Sequence, residues 1–309
     1  MLRLSLEALQ IVDAIDRRGS FSAAGKELHR VPSTISYTVS KLESDLGVQV
    51  FERNGPRVLL TRAGQELLKE GRYLLKAAHD LEQRVRRVAS GWETELGIGI
   101  DSMFSALALG ADVRAFYDVA QQTRLRIVQE TLSGTWEALL ERRVDLLVGA
   151  PGDGPAGGGY VSQPIGSLPF VFAVAPGHPL ATAPEPFGRN QLQHHRAVVV
   201  ADSARQMAPR TVGVLLGQDA LTLPTMHDKL SYQLAGLGFG FLPEPCARGA
   251  IERGLLLEKQ VEEPKPAETF YLAWRAGEGG AALEWWTERM RAPDLFARLV
   301  AQMPGRALY

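Results

Sequence analysis

The apolar positions of the N-terminal third change period in a way that predicts two short helices, a hairpin and a long helix. From Pro32, the residues Ile35, Val39, Leu42 and Leu46 step by four, three and four, the core stripe of a helix lying against Leu28 and a first helix. Pro32 suits the first helical turn, where its missing N–H leaves no bond unmade, and Val31 before it is biased away from helical geometry. The opposite side carries Ser33, Ser36, Tyr37 and Ser40, with Lys41 one turn after Tyr37. Short hydroxyl side chains beside a cation can approach base edges and phosphates in a major groove, although exposed serines are also common on merely solvated faces. The helix before it is expected to start near Ser22 as N-cap, with Phe21 packing across the entry and Ala23 and Ala24 permitting a close crossing.

From Gly47 the pattern alternates briefly through Val48, Val50 and Phe51, turns at Asn54-Gly55-Pro56 and returns through Val58, Leu59 and Leu60. This reads as a β-wing whose Arg53 and Arg57 flank the turn, within reach of a phosphate or minor groove. A long helix follows, with Thr61 as its cap and an end near Gly91. Gly64, Leu67, Gly71, Leu74, Ala78, Leu81, Val85 and Val88 recur at alternating three and four residues. That is a heptad seam suited to dimerisation; packing on the helix's own domain is the alternative.

Beyond Leu96, short apolar runs alternate with helical stretches: LGIGI, Phe104 to Tyr117, LRIVQE, Thr135 to Arg143, then DLLVG. FVFAVAP, AVVVA, LTL, a helix near Asp228 to Ala235, GFGFLP, a helix to Arg253, ETFYLAWR and a terminal helix continue the βα alternation. Two α/β lobes fit, with crossovers at Gly159 to Pro164 and around Glu263 to Glu268. The glycine string Gly236 to Gly240 ends a helix and enters a strand, the reverse of the phosphate-binding order.

Composition changes the picture in three places. The net charge of −1 suits a DNA binder poorly until it is divided: residues 1–91 carry 15 Lys and Arg against 11 Asp and Glu, and residues 92–309 carry 19 against 24. That modest N-terminal excess makes DNA affinity depend on placed contacts and dimerisation. The single cysteine, Cys246, excludes an intrachain disulfide and a thiolate cluster for zinc, and reads as a passive helix residue. No secretion signal and no bilayer-spanning apolar run is evident, so a cytoplasmic location is expected, away from the membrane.

The N-terminal run resembles the winged helix-turn-helix of LysR-type transcriptional regulators. The residues carrying the likeness are Gly19 to Ala24 (GSFSAA), Ile35-Ser36, Leu42-Glu43, Leu46-Gly47, Phe51-Glu52-Arg53 and Leu60-Thr61-Arg62-Ala63-Gly64. Tyr37 follows the Ile-Ser pair where the family commonly has a basic or polar residue, resembling a subgroup that reads HRVPSxxSYTxxKLE; this alters the base preference and leaves the mode of binding. The second half resembles the family's effector domain through Asp145-Leu146-Leu147, His178-Pro179-Leu180-Ala181, Ala235 to Gly240 and Leu242-Pro243. The resemblance implies an α/β fold plus an all-α-type winged helix. Residues 1–60 would form the DNA-binding domain and 61–91 the linker helix for dimerisation. Residues 92–309 would form a periplasmic-binding-protein-like effector domain, with lobe I at 92–163 and 269–309 and lobe II at 164–268. A dimer would present paired recognition helices to an inverted repeat in double-stranded promoter DNA, and a homotetramer is the family's usual state.

The expected DNA contacts are therefore Pro32, Ser33, Ser36, Tyr37, Ser40, Lys41, Arg53 and Arg57. Strand-end reasoning places an effector between the lobes at Asp101, Ser102, Met103, Thr131, Ser133, Ala201, Asp202, Ser203, Thr225, Met226 and His227. Helix capping is the alternative for each serine or threonine, and a solvated turn for His227. Helix N-termini favour an organic acid, whereas Asp101, Glu130 and Asp202 would repel an anion. That repulsion favours a hydroxylated aromatic walled by Phe104, Trp136 or Phe170. The expected function is a regulator whose promoter geometry shifts with effector binding, with no cofactor, metal or catalytic residue. An α/β hydrolase or transferase with an accessory DNA module is the alternative. Its one attraction is His194-His195, but adjacent histidines diverge on a helix, and neither HExxH nor GxSxG occurs. A solute receptor for a transporter is the third, opposed by the DNA module and the missing export signal.

Overall fold

The computed structural model describes residues 4–54, 57–120, 122–210 and 212–304. The chain divides into two units, Met1–Ala89 and Ser90–Tyr309.

In the first unit, α1 (Leu6–Arg18) is capped by Ser5, whose Oγ accepts from the Ala8 N–H, and ends at Gly19 in the left-handed conformation. Helix α2 (Phe21–Glu27) starts earlier than expected. Ser20, not Ser22, is its N-cap, accepting from the Ala23 N–H at 3.2 Å. Helix α3 (Pro32–Leu46) begins at the proline and stops at Gly47. Its Ile35, Val39 and Leu42 are buried against Ile11, Val12, Ile15 and Ala24. Leu46, expected in that stripe, is 39% exposed, because the last turn of α3 runs past the core.

The wing is the antiparallel pair β1 (Phe51–Asn54) and β2 (Arg57–Leu60), in register Phe51 with Leu60 and Asn54 with Arg57. Gly55 and Pro56, the centre of the expected turn, lie outside the described residues, as do the side chains of Arg53 and Arg57. One carboxylate ties the wing to α3: Glu43 accepts from the N–H groups of Val50, at 2.7 Å, and Phe51. Thr61 caps α4 (Arg62–Ser90) through the Gly64 N–H.

The seam of α4 divides in two. A Cβ on Gly64 would sit 2.1 Å from the Val50 carbonyl oxygen, and one on Gly71 would sit 2.6 Å from Leu9 Cδ2. Both glycines therefore serve close packing within the unit, together with buried Leu68, which is outside the seam. From Leu74 onward the stripe is open: Leu74, Leu81 and Val85 are about half exposed or more. The Val88 side chain lies outside the described residues.

In the second unit, β3 (Glu95–Asp101), α5 (Gly110–Val119), β4 (Arg124–Glu130), α6 (Ser133–Leu140) and β5 (Leu146–Pro151) realise the expected βα alternation, β3 pairing parallel with β4 and β5. The helix expected from Phe104 opens as a 3-10 turn at Ala106–Leu109 before α5. The segment expected to cross over at Gly159 to Pro164 is instead β6 (Tyr160–Leu168), paired with the later β12 as far as Leu168.

Lobe II then holds β7 (Phe170–Val174), α7 (Arg189–Leu192), β8 (Ala197–Val200), β9 (Ala220–Leu223), α8 (Met226–Leu234), β10 (Gly240–Pro243), α9 (Glu244–Glu252) and β11 (Leu257–Lys259). The chain returns to lobe I through β12 (Glu268–Arg275), α10 (Ala281–Met290) and α11 (Leu295–Ala301). Lobe I is a five-stranded sheet in the order β4-β3-β5-β12-β6; lobe II carries β10-β7-β11 beside β8-β9. Beyond the ends of β8 and β9 lie residues 201–210 and the start of α8; in the first of these, Asp202 and Ser203 bond to lobe I.

Candidate DNA-reading face and interlobe cleft

The residues expected to read DNA share one side of α3. Pro32, Ser33, Ser36, Tyr37, Ser40 and Lys41 are all exposed, Tyr37 at 69%, while the helix's apolar side is locked into the unit. A groove of about 650 Å³ runs from Ser36 and Ser40 to Gln49, Phe51 and Thr61 at the foot of the wing. Gln49 lies outside the expected set; its place between Val48 and the first wing strand is the signal that sequence offers for it. Glu43 also lines the groove, its carboxylate held by the Val50 and Phe51 amides.

In the second unit, five of the eleven expected cleft residues, Ser102, Thr131, Ser133, Asp202 and Ser203, are joined by hydrogen bonds among themselves, and Asp101 is bonded to their neighbours. Asp101 is buried and accepts from the N–H groups of Met103 and Leu132 and from the Thr135 hydroxyl. Thr131 donates its hydroxyl to Ser102 at 2.9 Å and its N–H to Ser203 Oγ at 2.8 Å. Ser203 in turn donates to Glu130 at 2.6 Å. Asp202, from lobe II, accepts from Ser133 and Gly134 at the N-terminus of α6 and from Ala204 and Arg210 in its own loop. A carboxylate from one lobe thus occupies the anion-favouring end of a helix in the other, which is why α6 starts at Ser133 rather than at the expected Thr135. Gly134 makes this approach possible, since a Cβ there would lie 2.0 Å from Ser203 Oγ.

The remaining expected residues have other roles. Met103 and Met226 are core residues. Ala201 donates its N–H to Leu223, continuing the β8–β9 pairing. Thr225 caps α8, and His227 is exposed. Phe104 packs edge-on against Phe270 in the core, and Trp136 packs against Tyr160 and Tyr271, so neither walls a cleft.

Charged residues outside the expected set complete the closure. Glu137 on α6 is 1% exposed and accepts from the N–H groups of Arg205, Gln206 and Met207. Burial alone would raise its pKa, but those three amides and Arg143 hold it below the ordinary carboxylate range. Asp202 is likewise held low by its four amides against burial. Arg143 also pairs with Glu130. Asp101 behaves oppositely: burial pushes it up to about 7 despite its hydrogen bonds. Of the three acids expected to repel an anion, Asp202 is bound by amides, Glu130 is paired with Arg143, and Asp101 is raised to about 7.

Nearer the crossover, Glu268 on β12 pairs with Lys265 at 3.0 Å and with Arg210 at 2.8 Å, and Lys265 lies over the Phe170 ring. Lys229, on the inner side of α8, is 7% exposed. A lysine inside the stripe of Met226, Leu230 and Leu234 is a legible signal of something beyond packing.

Residues 6–65 match the family model of the bacterial regulatory helix-turn-helix protein, lysR family, and residues 89–293 match the LysR substrate binding domain. The chain belongs to the LysR family of transcriptional regulators. It is 38% identical over 297 residues to the uncharacterized HTH-type transcriptional regulator YeeY of Escherichia coli (strain K12), covering 96% of each chain. It is 35% identical over 281 residues to PunR of the same strain, covering 91% of each. Among solved structures, full-length CbnR complexed with its target DNA matches with a TM-score of 0.58 at 18% identity, over 94% of this chain and 100% of that one. Full-length AphB, the virulence activator of Vibrio cholerae, matches at 0.53 and 15%, over 92% and 98%.

As a LysR regulator the chain is a DNA-binding protein with an effector-binding domain, and the enzyme alternative falls away. His194 and His195 lie in the turn after α7 rather than on a helix, and the His195 ring is 5.4 Å from that of His178. Among the described residues, no cluster of His, Cys, Asp or Glu could hold a metal ion, and no helix is long and apolar enough to cross a membrane. Cys246 is buried in α9.

Proposed function

We propose that this LysR regulator reads an inverted-repeat promoter with two copies of α3, placing Ser36 and Tyr37 at base edges and Ser33, Ser40 and Lys41 at the flanking phosphates. Arg53 and Arg57 of the wing are assigned to a phosphate or the minor groove. The reading takes residues 1–60 as the DNA module, 61–91 as the linker and 92–309 as the effector domain. Two chains join through the open part of the α4 seam, and two such dimers form a homotetramer acting on promoter DNA in the cytoplasm. The observation that carries the reading is the division of α3 itself: Ile35, Val39 and Leu42 are buried, while the hydroxyl-rich side is wholly exposed beside the wing.

The effector enters between the lobes, where Ser102, Thr131, Asp202 and Ser203 gather, with Thr225 at the start of α8 as a further proposed contact. A ligand preferring one degree of lobe closure shifts the population of quaternary states by its differential affinity, and so changes how the paired winged domains sit on DNA. The satisfied acids favour the organic-acid class over the neutral hydroxylated aromatic.

Genomic fragments retained by the purified protein at two salt concentrations test this. Discrete promoters sharing an inverted repeat are expected, with the retained set lost in Ser36→Ala and Tyr37→Ala while oligomerisation persists. Diffuse retention that salt abolishes, or normal retention by both variants, would refute the assignment.

A further inference from the structure

The α8 helix carries a basic side chain that the fold does not pair. Lys229 is 7% exposed, yet among the described residues its ammonium has no hydrogen-bond acceptor and no carboxylate within 4.0 Å. Burial, with Lys265 nearby, pushes its pKa down to about 7, so the fold itself does little to hold this proton in place. One turn further along the same side, Gln233 donates its amide to the carbonyls of Gly240 and Ala173, leaving its buried Oε1 without a partner. The two side chains converge on Gly240. The point where a Cβ would stand there is 3.3 Å from Lys229 Nζ and 3.2 Å from Gln233 Nε2. An unmatched donor and an unmatched acceptor thus lie together under the β10 end of lobe II.

The cations here outnumber their anions. Lys265 and Arg210 share the single carboxylate of Glu268, and Asp101, the next acid, is pushed toward neutrality. The N-terminus of α6, the obvious alternative seat for an anion, is already filled by Asp202. We propose that Lys229 receives the carboxylate of a small organic acid, and that Gln233 Oε1 accepts from a hydroxyl or amino group beside that carboxylate. This rests on the reading of the interlobe region as the effector site and names the effector's class as a hydroxy- or amino-substituted carboxylate. Binding supplies the missing counter-charge, so the site is tightest for a ligand that can be buried with it.

Thermal unfolding of the full chain tests this in two stages. Without ligand, Lys229→Met removes the unpaired charge and is expected to raise Tm; an unchanged or lower Tm would mean that the lysine supports the fold and would overturn the proposal. The second stage uses 2-hydroxybenzoate, malate, benzoate and succinate with the corresponding uncharged amides. At least one hydroxy acid is expected to raise the wild-type Tm by about 5–10 °C at roughly a hundredfold excess over Kd, and none to do so in Lys229→Met. The amides are expected to leave both proteins unchanged. No shift with any acid, or equal shifts in the two proteins, overturns the proposal. A Ser102→Phe variant separates the two failures. Shifts that survive Lys229→Met but vanish in Ser102→Phe keep the interlobe site and reject Lys229; shifts that survive both reject the interlobe site as well.

Discussion

Replacing Asp202 with alanine should loosen the contact between the two lobes measurably. The carboxylate serves four backbone N–H groups, at 3.1 Å from Ser133, 3.0 Å from Gly134, 2.9 Å from Ala204 and 2.7 Å from Arg210. Ser133 and Gly134 are buried, so each stranded N–H there costs about 1–3 kcal/mol. Ala204 and Arg210 lie in the more exposed loop, where water takes over and the net loss is about 0.5–1 kcal/mol each. The sum is about 3–8 kcal/mol, or a fall in Tm of roughly 6–32 °C for a unit of this size. Urea unfolding of the full chain, followed by tryptophan fluorescence, gives the free energy. Native-state hydrogen exchange should show protection lost at those four amides. The carboxyl pKa is held below its ordinary 3.8, so its contribution is present at neutral pH and disappears as pH falls through the lowered folded value. The gap between wild type and Asp202→Ala should therefore persist at neutral pH and close in strong acid. A loss below about 1 kcal/mol, or a gap independent of pH, would refute the capping argument.

Three further outcomes follow from the packing and charges. Gly64→Ala should destabilise the N-terminal unit by about 2 kcal/mol or more, since the new methyl meets the Val50 carbonyl at 2.1 Å; Gly110→Ala, where nothing lies within 4 Å, serves as its neutral control in the same Tm measurement. Because Asp101 titrates near 7 in the folded chain against 3.8 ordinarily, its contribution to stability is full below pH 3.8 and is lost as pH rises to about 7. Asp101→Asn should accordingly flatten the pH–stability profile across that window, and an unchanged slope would count against the buried-carboxyl reading. Leu81→Asp with Val85→Asp, at positions 55% and 61% exposed, should dissociate the dimer in sedimentation without lowering the Tm of either unit.

The legible parts of the fold are those whose cause is local. Pro32, the period of Ile35, Val39 and Leu42, and the Gly47 stop are each readable within one helix, and α3 begins and ends where they place it. Leu46 and Ser22 depart from expectation for one reason: periodicity and cap preference do not say how far a core extends or which of two serines is extended in the backbone. The α4 seam shows the same limit. Its spacing is regular over the whole helix, yet Gly64 and Gly71 belong to intrachain packing because the wing carbonyl and Leu9 happen to lie there.

Chain order and side-chain chemistry alone determined the LysR architecture, the exposed hydroxyl-rich side of α3 and the strand ends around which polar residues gather. Helix and strand periods, caps and turns act over a few residues, so a sequence carries them directly. Only the tertiary structure decided what those strand ends do. Asp202 meets the α6 N-terminus across 68 residues of chain, Glu137 meets the Arg205 amide across 68, and Lys229 is left without a counter-charge. Whether a buried charge is satisfied depends on which groups distant segments bring within hydrogen-bond reach, and no local pattern encodes that distance.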